Sequence, residues 1–74
     1  MGKMYLLYED DNQKLFWDES SPEEIAVAQS RFKQYLKKGY LACRIERDGN
    51  RGVQIVEFDP KAEEIILVSM VEGA

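Results

Sequence analysis

Apolar and polar positions change their spacing several times along this chain, and each change marks an element. Met4-Tyr5-Leu6-Leu7-Tyr8 is a short apolar and aromatic run closed by Glu9-Asp10-Asp11-Asn12, which predicts a strand followed by a polar turn. Lys14-Leu15-Phe16-Trp17-Asp18 predicts the returning strand of a hairpin. In that strand Leu15 and Trp17 share one face and Phe16 takes the other, so one large ring is expected near the surface. The period then lengthens to that of a helix. Ser21-Pro22-Glu23-Glu24 carries a capping hydroxyl, a proline for the first helical position and a Glu24 able to bond back toward the cap. Ile25, Ala28, Phe32, Tyr35 and Leu36 recur on one helical face, with Gln29, Ser30, Lys33 and Lys37 elsewhere. Gly39 supplies the left-handed residue that ends the helix.

The two-residue period returns at Tyr40 to Glu46, a strand joined through Asp48-Gly49-Asn50 to an antiparallel partner from Val53 to Phe58. Asp59-Pro60-Lys61 predicts a further turn, since proline presets the backbone angle and removes a ladder donor. The last run, Ile65 to Met70, is apolar without alternation, as is Met4 to Tyr8. Such runs belong inside sheets, so these two strands are expected to be central neighbours. With no linker, repeat or low-complexity stretch in 74 residues, the expected fold is α+β: one β-β-α-β-β-β domain over residues 1–74, its helix covering one face of a mixed sheet.

A first strand beside a last strand, with a helix crossing over after an opening hairpin, resembles the β-grasp fold of ubiquitin-like proteins. The turn at Asp59–Lys61 is short for the usual β-grasp order, in which the last strand inserts between the first and the third. It favours a simple hairpin between the last two strands and leaves a meander of the last three open. The tail is similar to those of the bacterial sulfur carriers of thiamin and molybdopterin synthesis: Glu63-Glu64 leads into Ile65-Ile66-Leu67-Val68 and out to Val71-Glu72-Gly73-Ala74. The resemblance implies a terminal glycine carboxylate that an adenylating enzyme activates, after which the protein carries sulfur or joins a target amine. Val71, Glu72, Gly73 and Ala74 form the implied conjugation or partner-binding tail, expected to project as an accessible end. Gly73 matches the first glycine of the family's pair and Ala74 stands in place of the second. Three readings stay open: a precursor trimmed after Gly73, a carrier that tolerates alanine, and a β-grasp domain that is never conjugated.

Charge narrows the partners. Ten basic residues against fourteen acidic ones give a net charge of −4. The basic grouping of Arg31, Lys33, Lys37 and Lys38 falls on the second half of the helix, where cations interact favourably with the helix dipole. Nucleic acid, which draws on clustered Lys and Arg, is not expected as a partner. Neither is a membrane: Leu6 occupies the position where the myristoylation motif requires Ser or Thr. A single cysteine excludes an intramolecular disulfide, and the absence of a leader or a long apolar stretch points to the cytoplasm. Met1-Gly2-Lys3 reads either as native sequence or as an addition ahead of a natural start at Met4.

Catalytic equipment is not evident. The chain has no histidine, Cys43 reads as a small buried apolar residue sharing a face with Leu41 and Ile45, and Ser20, Ser21, Ser30 and Ser69 lack a general base beside them. Asp10, Asp11 and Asn12 lack the glycine and distal glutamate of a calcium loop, and Glu63 and Glu64 read as turn charges. No catalytic, cofactor or metal site is therefore expected. The expected function is partner binding by a small non-enzymatic ubiquitin-like protein, its tail serving as modifier or sulfur carrier with an adenylating activating enzyme as partner. The alternative is an interaction or structural module, a phage or accessory protein, that uses a strand edge and exposed aromatics without conjugation chemistry.

Overall fold

A computed structural model describes residues 1–6, 14–45 and 52–69. The elements are β1 (Gly2–Leu6), β2 (Leu15–Trp17), α1 (Pro22–Lys37), β3 (Tyr40–Ile45), β4 (Gly52–Ile55) and β5 (Glu64–Ser69). They make a mixed five-stranded sheet in the order β2-β1-β5-β3-β4 with one helix on one face, an α+β arrangement. β1 and β5 are neighbours and run parallel, Met4 opposite Ile65 and Leu6 opposite Leu67, as their continuous apolar runs predict. β2 pairs antiparallel with β1, and β3 lies antiparallel to both β4 and β5. The turns expected at residues 9–12 and 48–50, and the tail at 71–74, lie outside the described residues.

The helix begins where the sequence places it. Ser21 has extended backbone angles and its Oγ accepts a hydrogen bond from the Glu24 N–H at 3.3 Å, a cap worth about 0.5–2 kcal/mol. The reciprocal half of the capping box is redirected. Glu24 Oε1 accepts from the Asp18 N–H at 2.8 Å, because Ser21 N–H is already bonded to the Asp18 carbonyl. Asp18 in turn accepts from the Ser20 N–H and hydroxyl, which hold its carboxyl below the usual carboxylate range. At the other end Gly39 adopts φ 101° and donates to the Leu36 carbonyl, a conformation that glycine reaches without a Cβ clash. Ala28 and Phe32 are buried against the sheet, with Ile25, Tyr35 and Leu36 packed beside them.

The fourth strand and its exit differ from the expectation. β4 stops at Ile55, three residues before Phe58, and does not form a hairpin with β5. Residues 56–63 instead cross β3 on the helix side, so that β5 inserts between β1 and β3. Side chains of the crossing segment account for this. The Phe58 ring packs edge-on against Trp17 at 4.9 Å and against Phe32 at 5.8 Å between centroids, joining β2 and α1 through one aromatic contact chain. Trp17 Nε1–H donates to the Pro60 carbonyl at 2.9 Å, and Arg44 of β3 pairs with Asp59 at 2.9 Å. The predicted turn is present: Ala62 N–H bonds to the Asp59 carbonyl and the Asp59 carboxylate accepts from Lys61 N–H. It reverses a crossing segment rather than a hairpin. Ala42, the small inward residue of β3, is fully buried beside this segment.

Two other sequence readings change. Gly2 and Lys3 are strand residues: Gly2 is buried beneath the Trp17 indole, where a Cβ would collide with the ring and lie 2.7 Å from the Ala62 carbonyl. Lys3 N–H bonds to the Glu63 carbonyl. The first residues are therefore part of the sheet. Cys43 shares a face with Leu41 and Ile45 as expected, but that face is turned away from the helix and the thiol is half-buried rather than buried. Its neighbour Ala42 takes the core position.

Candidate functional site

The register of the five strands sorts their side chains onto two faces. Met4, Trp17, Ala42, Ile65 and Leu67 point to the helix and are buried at 6% exposure or less. The alternate residues make the second face, and the one helix among the described residues is not on it. Across that face Tyr5, Ile66, Cys43 and Gln54 stand in one row and Phe16, Lys3, Glu64, Ile45 and Gly52 in the next. Val68 and Leu41 stand opposite each other in a third. The half-buried aliphatics Leu41, Ile45, Ile66 and Val68 thus adjoin one another over β3 and β5, around the Cys43 thiol.

The other end of this face is ionic. The Tyr5 hydroxyl donates to a Glu64 carboxylate oxygen. That hydrogen bond, helped by partial burial and by the Glu64 charge, pushes the Tyr5 phenol up to about 12. The ammonium groups of Lys14 and Lys3 stand 5.5 and 6.0 Å from the centre of the Tyr5 ring, within reach of a cation–π attraction. Phe16, opposite Lys3, is 53% exposed, which places the expected surface ring at the outer edge of the same face. An apolar strip bounded by a charged and aromatic margin is a surface suited to contact with another macromolecule.

Among the described residues no group of three or more His, Cys, Asp or Glu stands close enough to hold a metal ion, and no helix is long and apolar enough to cross a membrane. The tail residues Val71, Glu72, Gly73 and Ala74 follow β5, whose described part ends at Ser69 in the middle of the sheet. Ser20 and Ser21, read as lacking a general base, are both occupied in the turn and cap before α1. Glu64 is brought to Tyr5, a pairing between residues 59 apart in the chain that no local spacing signals. The aliphatic strip was missed for a related reason. The run Ile65-Ile66-Leu67-Val68 signals a strand inside the sheet, and its lack of alternation does not show that Ile66 and Val68 line the face away from the helix. No family model, curated protein or solved structure matches this chain.

Proposed function

We propose that this protein is a β-grasp domain of ubiquitin-like kind that acts by being bound rather than by catalysing a reaction, and that it works in the cytoplasm. The observation that carries the reading is the placement of β5. It lies between β1 and β3, parallel to the first strand, with an opening β1–β2 pair and a helix before the rest of the sheet. A central strand is the most firmly held part of such a domain, and a tail that follows it is presented from a rigid base. The specific form of the proposal makes Val71-Glu72-Gly73-Ala74 the segment that an adenylating enzyme engages, with the protein serving as modifier or sulfur carrier.

The test is ATP-dependent adenylate or thioester formation with any adenylating enzyme found encoded beside its gene. The full chain should react, a chain lacking Gly73 and Ala74 should not, and both should melt at nearly the same temperature. A chain lacking only Ala74 separates a trimmed precursor from a carrier that uses the alanine. If full and shortened chains behave alike with every such enzyme, the carrier form fails. The second reading, a plain interaction module, is favoured by the aliphatic strip of Leu41, Ile45, Ile66 and Val68 with exposed Phe16 at its margin. Under that reading Phe16→Asp removes partner binding and the tail deletion leaves it intact.

A further inference from the structure

We infer that residues 56–62 form a strap that opens as one unit while the sheet and helix stay folded, uncovering Trp17 and Phe32 in a minor state of the native protein. The ladders on either side do not need it. β3 pairs with β4 as far as Ile55, and β5 takes up its registers with β1 and β3 from Glu64 onward. Among the described residues none of residues 56–62 belongs to a strand pair, so their release breaks no ladder. Glu63 is the fixed point on one side, because its carbonyl accepts from the Lys3 N–H. Val56, 73% exposed, is the hinge on the other.

Side chains, not a ladder, hold the strap down. The Lys61 and Ala62 N–H groups both bond to Asp59, within the strap's own turn. Its ties to the rest of the molecule run through the Phe58 ring against Trp17 and Phe32, the Pro60 carbonyl that accepts from Trp17 Nε1–H, the Asp59 carboxylate on Arg44, and the buried Ala62. The Arg44 and Asp59 side chains are both 32% exposed, and an ion pair so open to water contributes little. Phe58 is only half-buried. It borders a cleft of about 330 Å³ between α1 and residues 56–58, lined also by Gln29, Lys33 and Val56, and a ring with empty space on one side forfeits dispersion contacts there. Opening restores the backbone freedom of the whole strap. Segments with few buried apolar contacts and no ladder are those that open below the energy of global unfolding. Trp17 keeps its contact with Gly2 when the strap lifts, so β2 stays in place.

Native-state hydrogen exchange of the full chain in low urea tests the strap. Two protons report on it: the Trp17 indole N–H, held by Pro60, and the Ala62 amide, held by Asp59. Both should show the same protection, lower than that of the Ile65 and Leu67 amides in β5, and almost no dependence on urea, since lifting a strap exposes little surface. Two variants separate strap opening from global unfolding. Ser21→Ala removes the helix cap, which stays formed when only the strap opens. It should speed exchange in β5 about two- to thirtyfold and leave Trp17 and Ala62 unchanged. Asp59→Asn keeps an acceptor for the Lys61 N–H but discards the charge opposite Arg44. It should speed exchange at Trp17, Ala62 and β5 alike, by about two- to fivefold, because the ion pair is lost in both kinds of opening. Equal urea slopes at Ala62 and β5, acceleration of Ala62 by Ser21→Ala, unequal protection of Trp17 and Ala62, or no change at Ala62 in Asp59→Asn would overturn the inference.

Discussion

Trp17 is the residue through which the crossing segment, the second strand and the helix depend on one another, and replacing it tests that dependence directly. Its side chain is fully buried, lies over Gly2, meets Phe58 edge-on and donates to the Pro60 carbonyl. Trp17→Ala removes the ring and leaves a cavity that one small domain cannot close, at a cost of about 3–5 kcal/mol. For a chain of this length total stability is on the order of 4–11 kcal/mol, so the variant should be largely unfolded or close to it. Trp17→Phe separates packing from polarity. It keeps an aromatic ring beside Phe58 but has no donor, and a partly buried carbonyl left without its partner costs about 1–3 kcal/mol. Urea unfolding followed by far-ultraviolet circular dichroism measures both, since Trp17 is the sole tryptophan and its variants lose their fluorophore. In Trp17→Phe the Ala62 amide, bonded to the Asp59 carbonyl, should also exchange its hydrogen faster than in the parent. The reasoning is refuted if parent tryptophan emission is that of a solvent-exposed indole. It is equally refuted if Trp17→Ala lowers stability by less than about 1 kcal/mol, well short of the cavity cost of a buried aromatic.

Gly2→Ala forces a methyl group into the Trp17 ring and against the Ala62 carbonyl, and should destabilise by about 1–3 kcal/mol as overpacking does; Gly2→Ala combined with Trp17→Phe should cost less than the two changes summed, and full additivity would show that no collision occurs. The Tyr5 phenol sets an alkaline limit. Its folded pKa, raised to about 12 from the usual 10.0, means that the folded chain holds this proton where the unfolded chain releases it. The contribution is fully present below pH 10 and is lost as pH rises toward 12. Glu64→Gln should bring the Tyr5 titration, followed by phenolate absorbance, down toward the ordinary value, and an unmoved titration would remove Glu64 as the main cause.

Element types and the faces of the helix were legible in the sequence because they follow from periods of two and 3.6 residues and from local chemistry at Ser21, Pro22 and Gly39. Each of these acts over a single turn, so neighbours in sequence suffice to specify it. The pairing of β1 with β5 inside the sheet was legible too, from their continuous apolar runs, although only one face of these strands is buried beneath the helix. The route between β4 and β5 was not. Val53 to Phe58 reads as one alternating strand until Phe58 meets Trp17 and Phe32, which stand 41 and 26 positions earlier in the chain. Only folding brings those rings together, and the energy of the aromatic contacts, the Trp17–Pro60 hydrogen bond and the Arg44–Asp59 pair outweighs a continued ladder. The same limit applies to the candidate surface. Alternation separates the faces of each strand but does not state which face the helix will cover, so the side on which Cys43, Ile66 and Val68 stand was decided by the packing of Ala28 and Phe32 onto Ala42, Ile65 and Leu67. Period and caps are properties of the chain alone, whereas the crossing and the face left uncovered arise from contacts between residues that the sequence holds far apart.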